Sequence, residues 1–409
     1  MPRGVYLAYE SHLREELGED VGGVLHTGRS RNDLNATTAR LRARRYVRPL
    51  LEAVDELTAV LLSGAWEHRS VTMPAYTHGQ PAVPITYGHY LAALGCSVLR
   101  AFADLLHAGR ELDVNPLGAG AVGGTSVPID PGRTGELLGF TTTALNSVDA
   151  VASRDFGMRP LSAATVLGVT TARAARDLAA WTAEEASLIR LTDTLVGSSS
   201  MMPQKRNPFL IEHIQGRATS ALGAFTAAAS AMATAPYTNA IAVGTEAMRH
   251  VWPGLRGTTD AVVLLRLVVA GAEPDADRML RRAVEGFTSA TYLAERLVAS
   301  GMPFRAAHHL VGRTALEALD TSRPLAKTAA TVPQIAALAP PGDLDDWLHP
   351  AAVARANAYG GGPGGDSADH ALAVLRADHE ALRADLAGRN DRWTSAAALL
   401  DAAVGKVRS

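Results

Sequence analysis

Residues 162–191 read SAATVLGVTTARAARDLAAWTAEEASLIRL, and the spacing within them decides the fold class. On a helical projection Ala174, Leu178, Trp181 and Leu188 fall in one narrow stripe while Arg173, Arg176 and Arg190 point elsewhere, the pattern of an amphipathic helix. A second run, Pro84 to Leu112, carries Leu91, Leu94, Leu99, Phe102 and Leu106. It stops before Asn115-Pro116, because a residue ahead of proline is pushed out of helical geometry. Cys96 lies inside that run, where a thiol serves as a small core hydrophobe. No alternating run is long enough to predict a substantial sheet.

Composition agrees with this reading. The chain has 409 residues, 47% hydrophobic but only 5% aromatic, which suits helices packed through small side chains better than β-sandwiches. Lys and Arg total 39 against 41 Asp and Glu, a net charge of -2, so no overall field draws the chain to nucleic acid or to an anionic membrane. A single cysteine rules out a disulfide framework and any multi-cysteine metal centre. No apolar run forms ahead of Glu10, so a secretory signal is not expected and a cytoplasmic location is. Residues 218–245 carry no charge, but Pro236, Tyr237 and Asn239 among Ala, Ser and Thr predict a helix in a protein core, not a membrane span.

The expected fold is all-α: a shortened N-terminal helical segment over 1–27, a long central helical bundle over 28–276, and a smaller C-terminal helical domain over 277–409. The run Tyr292 to Ser300 ends at Gly301-Met302-Pro303, a helix stop followed by a further helix through His308 to Leu319. Tyr359 to Asp366 reads as a turn, and the charged stretch near 368–388 as a helix with a solvated outer face.

Gly118-Ala-Gly120-Ala-Val-Gly123 matches G-x-G-x-x-G literally, yet Asn115-Pro116 precede it and Thr125-Ser126-Val127-Pro128 follow, so the strand-turn-helix context of a dinucleotide site is missing. A glycine-rich loop with free N–H groups can still hold an anion. Adjacent His308 and His309 do not share a helix face, and Glu246 with His250 is more simply a surface pair or a core hydrogen bond, so no metal or cofactor is expected. No G-x-S-x-G elbow supports a serine hydrolase.

Three segments exceed ordinary structural duty. His26 to Asp33 packs Arg29, Ser30, Arg31 and Asn32 ahead of a helix; Thr77-His78-Gly79-Gln80 approaches another; Ser198 to Pro208 gathers hydroxyls, Lys205 and Asn207. Each alone could be a cap or a loop. Together they point to a composite site for a polyanionic small molecule.

Across nearly its whole length the chain resembles the argininosuccinate lyases of the fumarase/aspartase superfamily. The resemblance is carried by His26 to Asp33, Pro74 to His89, Asn115 to Asp130, Asn146 to Phe156, and above all Ser198 to Pro208 with its Met-Pro-Gln-Lys-x-Asn-Pro signature. Gly301 to Glu317 and Val353 to Gly362 also look like that family. The resemblance implies elimination of an amine from an N-substituted succinate, releasing fumarate through an aci-carboxylate whose charge preorganised donors must hold. Counting back from Met202-Pro203-Gln204-Lys205 places the base at Ser199. By the same resemblance His78 and Glu212 form an assisting pair and Lys205 and Asn207 hold charge. The resemblance further implies that Ser30, Arg31, Asn32, Thr77, Thr125, Ser126, Ser200, Met202 and Tyr237 contact the substrate. It also implies a homotetramer whose sites draw on three subunits, with residues 218–245 in the shared core.

The chain departs from that pattern in four places. The family carries several dozen residues ahead of the stretch like Tyr6 to Gly23, so the start is expected either to lie inside a longer reading frame or to lack those contacts. Ser198 stands where the signature has glycine, and Phe209 where a polar residue is common. In the family a strongly polar run after the matching tyrosine holds the amino-acid half of argininosuccinate, whereas here Ala240-Ile-Ala-Val-Gly-Thr245 follows. A leaving amine other than arginine is therefore expected, with arginine itself as the alternative. The alternative from another class is a non-catalytic, crystallin-like scaffold, against which the retained Ser199, His78, Lys205, Asn207 and Glu212 argue.

Overall fold

The computed structural model describes residues 5–338 and 343–408. Two short helices, α1 (Val5–Leu17) and α2 (Glu19–Gly22), lead into α3 (Arg31–Glu67). A capping box starts α3: the Ser30 hydroxyl accepts from the Asn32 N–H while Asp33 reaches back to the Ser30 N–H. An antiparallel hairpin, β1 (Thr72–Thr77) and β2 (Gln80–Thr86), follows. Thr86 then caps α4 (Tyr87–Ala108), which runs on into a 3₁₀ turn at Gly109–Asp113. This apolar segment is long enough to cross a bilayer, but half of it is buried in the protein, where it packs on its neighbours.

The connection to the next long helix is irregular. Val114–Asn115 (β3) runs parallel to Thr142–Thr143 (β4), and between and beyond them lie α5 (Pro131–Leu137) and α6 (Ser147–Ala152). Helix α7 (Asp155–Thr182) carries the stripe that decided the fold class, and Ala174, Leu178 and Trp181 are buried as expected. It ends nine residues earlier than its periodicity suggests. Ser187 takes a positive φ of 44°, and Leu188 is buried beyond the helix, just ahead of a short strand, β5 (Ile189–Leu191). A tight pair, β6 (Gly197–Ser198) and β7 (Arg206–Asn207), precedes α8 (Phe209–Arg217) and α9 (Ser220–Met232).

Residues 218–245 are not one buried helix. Only Ala221 and Ala228 of α9 are buried, and after residue 240 the chain enters a π-helical turn, Ala242–Ala247, that feeds α10 (Met248–Ala270). π-Turns inside α-helices gather at functional sites. Leu50, Leu57 and Leu61 of α3, Leu91 and Phe102 of α4, Leu161 and Leu167 of α7, and Leu255 and Val262 of α10 close one core. Each such burial is worth about 1.5–3 kcal/mol. A strand at Ala272–Pro274 (β8) pairs with β5.

The C-terminal region divides its packing. Helices α11 (Ala276–Glu285), α12 (Ala290–Ala299), α13 (Phe304–Asp320), α14 (Leu325–Ala329) and α15 (Pro333–Ala336) are followed by α16 (Asp343–Trp347) and α17 (Pro350–Ala356). Leu293, Leu297, Val311, Ile335 and Leu348 form a separate small core. The last helix, α18 (Gly365–Arg408), leaves that cluster and returns to α3 and α4, burying Leu372, Leu375 and Leu386 in the main core. The charged stretch near 368–388 is thus the outer side of a docked helix. Docking is polar as well: Asp55 takes His379 at 2.6 Å and Arg383 at 2.9 Å, and the buried Asp113 takes the Trp393 Nε1–H at 2.9 Å.

Candidate active site

The N-terminus of α3 is the best-built part of the site. Asp33 is fully buried, and its carboxylate accepts four backbone N–H groups: Ser30 and Leu34 on Oδ1, both at 2.9 Å, and Gly118 and Gly120 on Oδ2 at 3.0 and 3.1 Å. The glycine-rich loop does hold an anion, and the anion is the protein's own. Positive φ values at Gly118 and Gly120, 109° and 61°, aim those N–H groups inward. Gly28 allows the loop to close on this end, since a Cβ there would stand 2.9 Å from Ile129 Cγ2 and 3.7 Å from Thr125 Oγ1.

Around this anchor several polar groups converge. Asn32 donates from Nδ2 to the Ala121 carbonyl at 3.1 Å and accepts from Asn239 Nδ2 at 2.8 Å. Asn146 caps α6 and so places Asp149, which accepts from the Tyr237 hydroxyl at 2.5 Å. That bond pushes the Tyr237 phenol up to about 12. Ser30, Asn32, Thr125, Ser126 and Tyr237 therefore belong to one end of the molecule, with Thr125 and Ser126 exposed on the loop. Arg31 opens α3 with an exposed side chain.

The other two segments lie on separate projections. Thr77 and Gln80 pair at the tip of the β1–β2 hairpin, and His78 and Gly79 between them both take positive φ, 54° and 76°, as a two-residue primed turn demands. The His78 ring stands exposed there. The β6–β7 pair makes Ser199 to Lys205 a second projecting tip, tied down by Arg206, which pairs with Asp193 and donates to the Leu191 carbonyl at 2.8 Å. Ser199 Oγ accepts from the Met201 and Met202 N–H groups at 3.3 and 3.1 Å, while Ser200, Met202 and Lys205 are exposed and Asn207 half-buried. Glu212 sits exposed in the first turn of α8. Among the described residues no hydrogen bond joins Glu212 to His78, and the two tips stand on elements separate from the α3 end.

Three residues of this polar network were not among the residues expected from the sequence: Asp33, Asp149 and Asn239. The Asn146-Ser-Val-Asp149 cap pattern was available as a signal for Asp149. Asn239 meets Asn32 across 207 positions, which no local spacing reveals. Glu246 pairs with Arg249 at 2.9 Å and not with His250.

Sequence and structure comparisons agree on the family. The profile of the lyase family matches residues 3–223, and that of the argininosuccinate lyase C-terminal region matches 287–354. An argininosuccinate lyase of Methanoculleus marisnigri is 39% identical over 76% of this chain and 63% of its own length. Another, from Geobacillus kaustophilus, is 36% identical over 87% and 78%. The chain thus spans slightly less than two thirds of the former relative and more of the latter. An EDDS lyase crystal structure with formate superposes with a TM-score of 0.89 at 27% identity, over 98% of this chain and 82% of that one. A class II fumarase from Schistosoma mansoni, 17% identical over 82% and 72% with a TM-score of 0.69, shares the fold. The chain belongs to the argininosuccinate lyase family of the fumarase/aspartase superfamily.

Proposed function

We propose that the chain is a carbon–nitrogen lyase that removes an amine from an N-substituted succinate and releases fumarate. The observation that supports this reading is the polar end of α3, where Asp33 fixes the glycine loop beside Ser30 and Asn32; with Thr125 and Ser126 of that loop, these residues would meet a dicarboxylate. Ser199 takes the proton from the carbon next to a carboxylate. The C–H electron pair moves into that carboxylate to give the aci-carboxylate, then returns to form the new double bond as the C–N bond breaks and the amine leaves with a proton from the His78 and Glu212 side. Ser199 is supported over Ser198 and Ser200 because two N–H groups point at its oxygen and would stabilise an alkoxide. Lys205, whose ammonium no other described group holds, and the Asn207 amide donate hydrogen bonds to the aci-carboxylate, each such donor being worth about 3 kcal/mol.

A homotetramer follows as part of the same proposal. The two projecting tips and the α3 end serve one substrate only if neighbouring copies supply them. The exposed Val166 and Val169 of α7 and Leu222 of α9 offer the apolar face for that assembly. The setting proposed is cytoplasmic, with a small dicarboxylate as the only partner besides its own copies. A panel of N-(1,2-dicarboxyethyl) amines, argininosuccinate included, followed by fumarate absorbance tests the reading. Release from at least one, with kcat about 10²–10³ lower in Ser199→Ala and substrate affinity retained, is expected; no fumarate from any would overturn it.

A further inference from the structure

A cleft of ≈ 940 Å³ opens between α3 and the π-turn and α10, from Asn239 past Thr38 to Arg42. Its charge is one-sided. Arg42, Arg154, Arg217, Arg249 and Arg256 line it against a single carboxylate, Asp260, and that carboxylate already accepts from Arg217 at 2.6 Å. Arg249 is taken by Glu246. Among the described residues no carboxylate pairs with Arg42, Arg154 or Arg256.

Arg154 is the informative member. It is 1% exposed, its Nη1 donates to the Val151 and Ser153 carbonyls at 2.7 and 2.8 Å, and its Nε has no partner. Arg40, equally buried, adds a second positive charge beside it. An unpaired buried cation is costly, and a site that keeps one gains it back when an anion arrives. Gly244 borders this arginine directly: a Cβ there would stand in ordinary contact, 3.6 Å from Arg154 Nη2 and 3.7 Å from Asn239 Oδ1. Asn239 is in turn bonded to Asn32, so the cleft begins beside the end of α3 that faces the dicarboxylate.

We infer that this cleft holds the departing amine and selects amines with acidic groups, amino dicarboxylates such as aspartate and glutamate, over cationic arginine. The substrate assignment rests on the lyase reading; anion binding in the cleft does not. Two carboxylates on a short amine can meet Arg154 and its neighbours at once, whereas a guanidinium would enter a field of its own sign.

Calorimetric titration of the full chain with glutamate, aspartate and arginine, alongside fumarate release from the three corresponding N-(1,2-dicarboxyethyl) derivatives, tests this. Glutamate or aspartate is expected to bind at least tenfold more tightly than arginine. Gly244→Asp, which sets a carboxylate against Arg154, and Arg154→Met should each remove that preference; melting temperatures report whether either has merely unfolded. Equal or tighter arginine binding, binding of none of the three, or an unchanged preference in a folded Gly244→Asp overturns the inference. Absence of fumarate from these three derivatives and from the wider panel overturns the lyase reading alone, because the affinities decide the cleft.

Discussion

Asp33 shows how one side chain can set the shape of a binding region. Its two oxygens satisfy four N–H groups from two segments 85 positions apart in sequence. Asparagine there would turn an NH₂ toward two glycine N–H groups, donor against donor. Asp33→Asn is expected to cost about 3 kcal/mol, seen as a lowered melting temperature with faster proteolysis in residues 118–130. The anion-binding character of that loop was legible in its glycines and hydroxyls. The identity of the anion was not, because nothing in local spacing ties a capping residue to a distant loop. Ser199, by contrast, was reached by motif counting, and the two N–H groups on its oxygen supply an independent reason to favour it.

Elements were legible where one physical cause governs them and less so where two compete. The α7 stripe is right through Trp181, and then the left-handed turn at Ser187 and the pairing of β5 with β8 carry Leu188 into the core by another route. The primed turn at His78 was hidden for a related reason: a non-glycine residue at positive φ leaves little trace in composition. Helix α18 is held by a polar clamp as much as by leucines. Arg389, 2% exposed, donates to the Leu106 carbonyl at 2.9 Å and lies 3.8 Å from Asp113, and burial lowers its pKa. Asp113→Ala would leave that cation unmatched and is expected to destabilise the protein by about 3 kcal/mol, read by urea unfolding, with increased amide exchange in 380–400.

For the whole molecule, the alanine-rich and aromatic-poor composition foretold a helical protein, and helices dominate the described residues. What it could not show is that residues 218–245 lie half-exposed in one chain, since burial against another copy leaves the same composition as burial within one. Leu222→Glu is expected to convert the proposed tetramer into smaller species by light scattering while helical circular dichroism persists, and to abolish the proposed fumarate release; full activity in a monomer would contradict shared sites. The return of α18 to Asp55 also dictates an order of events. The His379–Asp55 bond joins residues 324 positions apart, and closing so long a loop costs entropy before it yields any contact. During synthesis α3 and α4 must therefore wait, with part of their apolar surface uncovered, until nearly the whole chain has emerged from the ribosome.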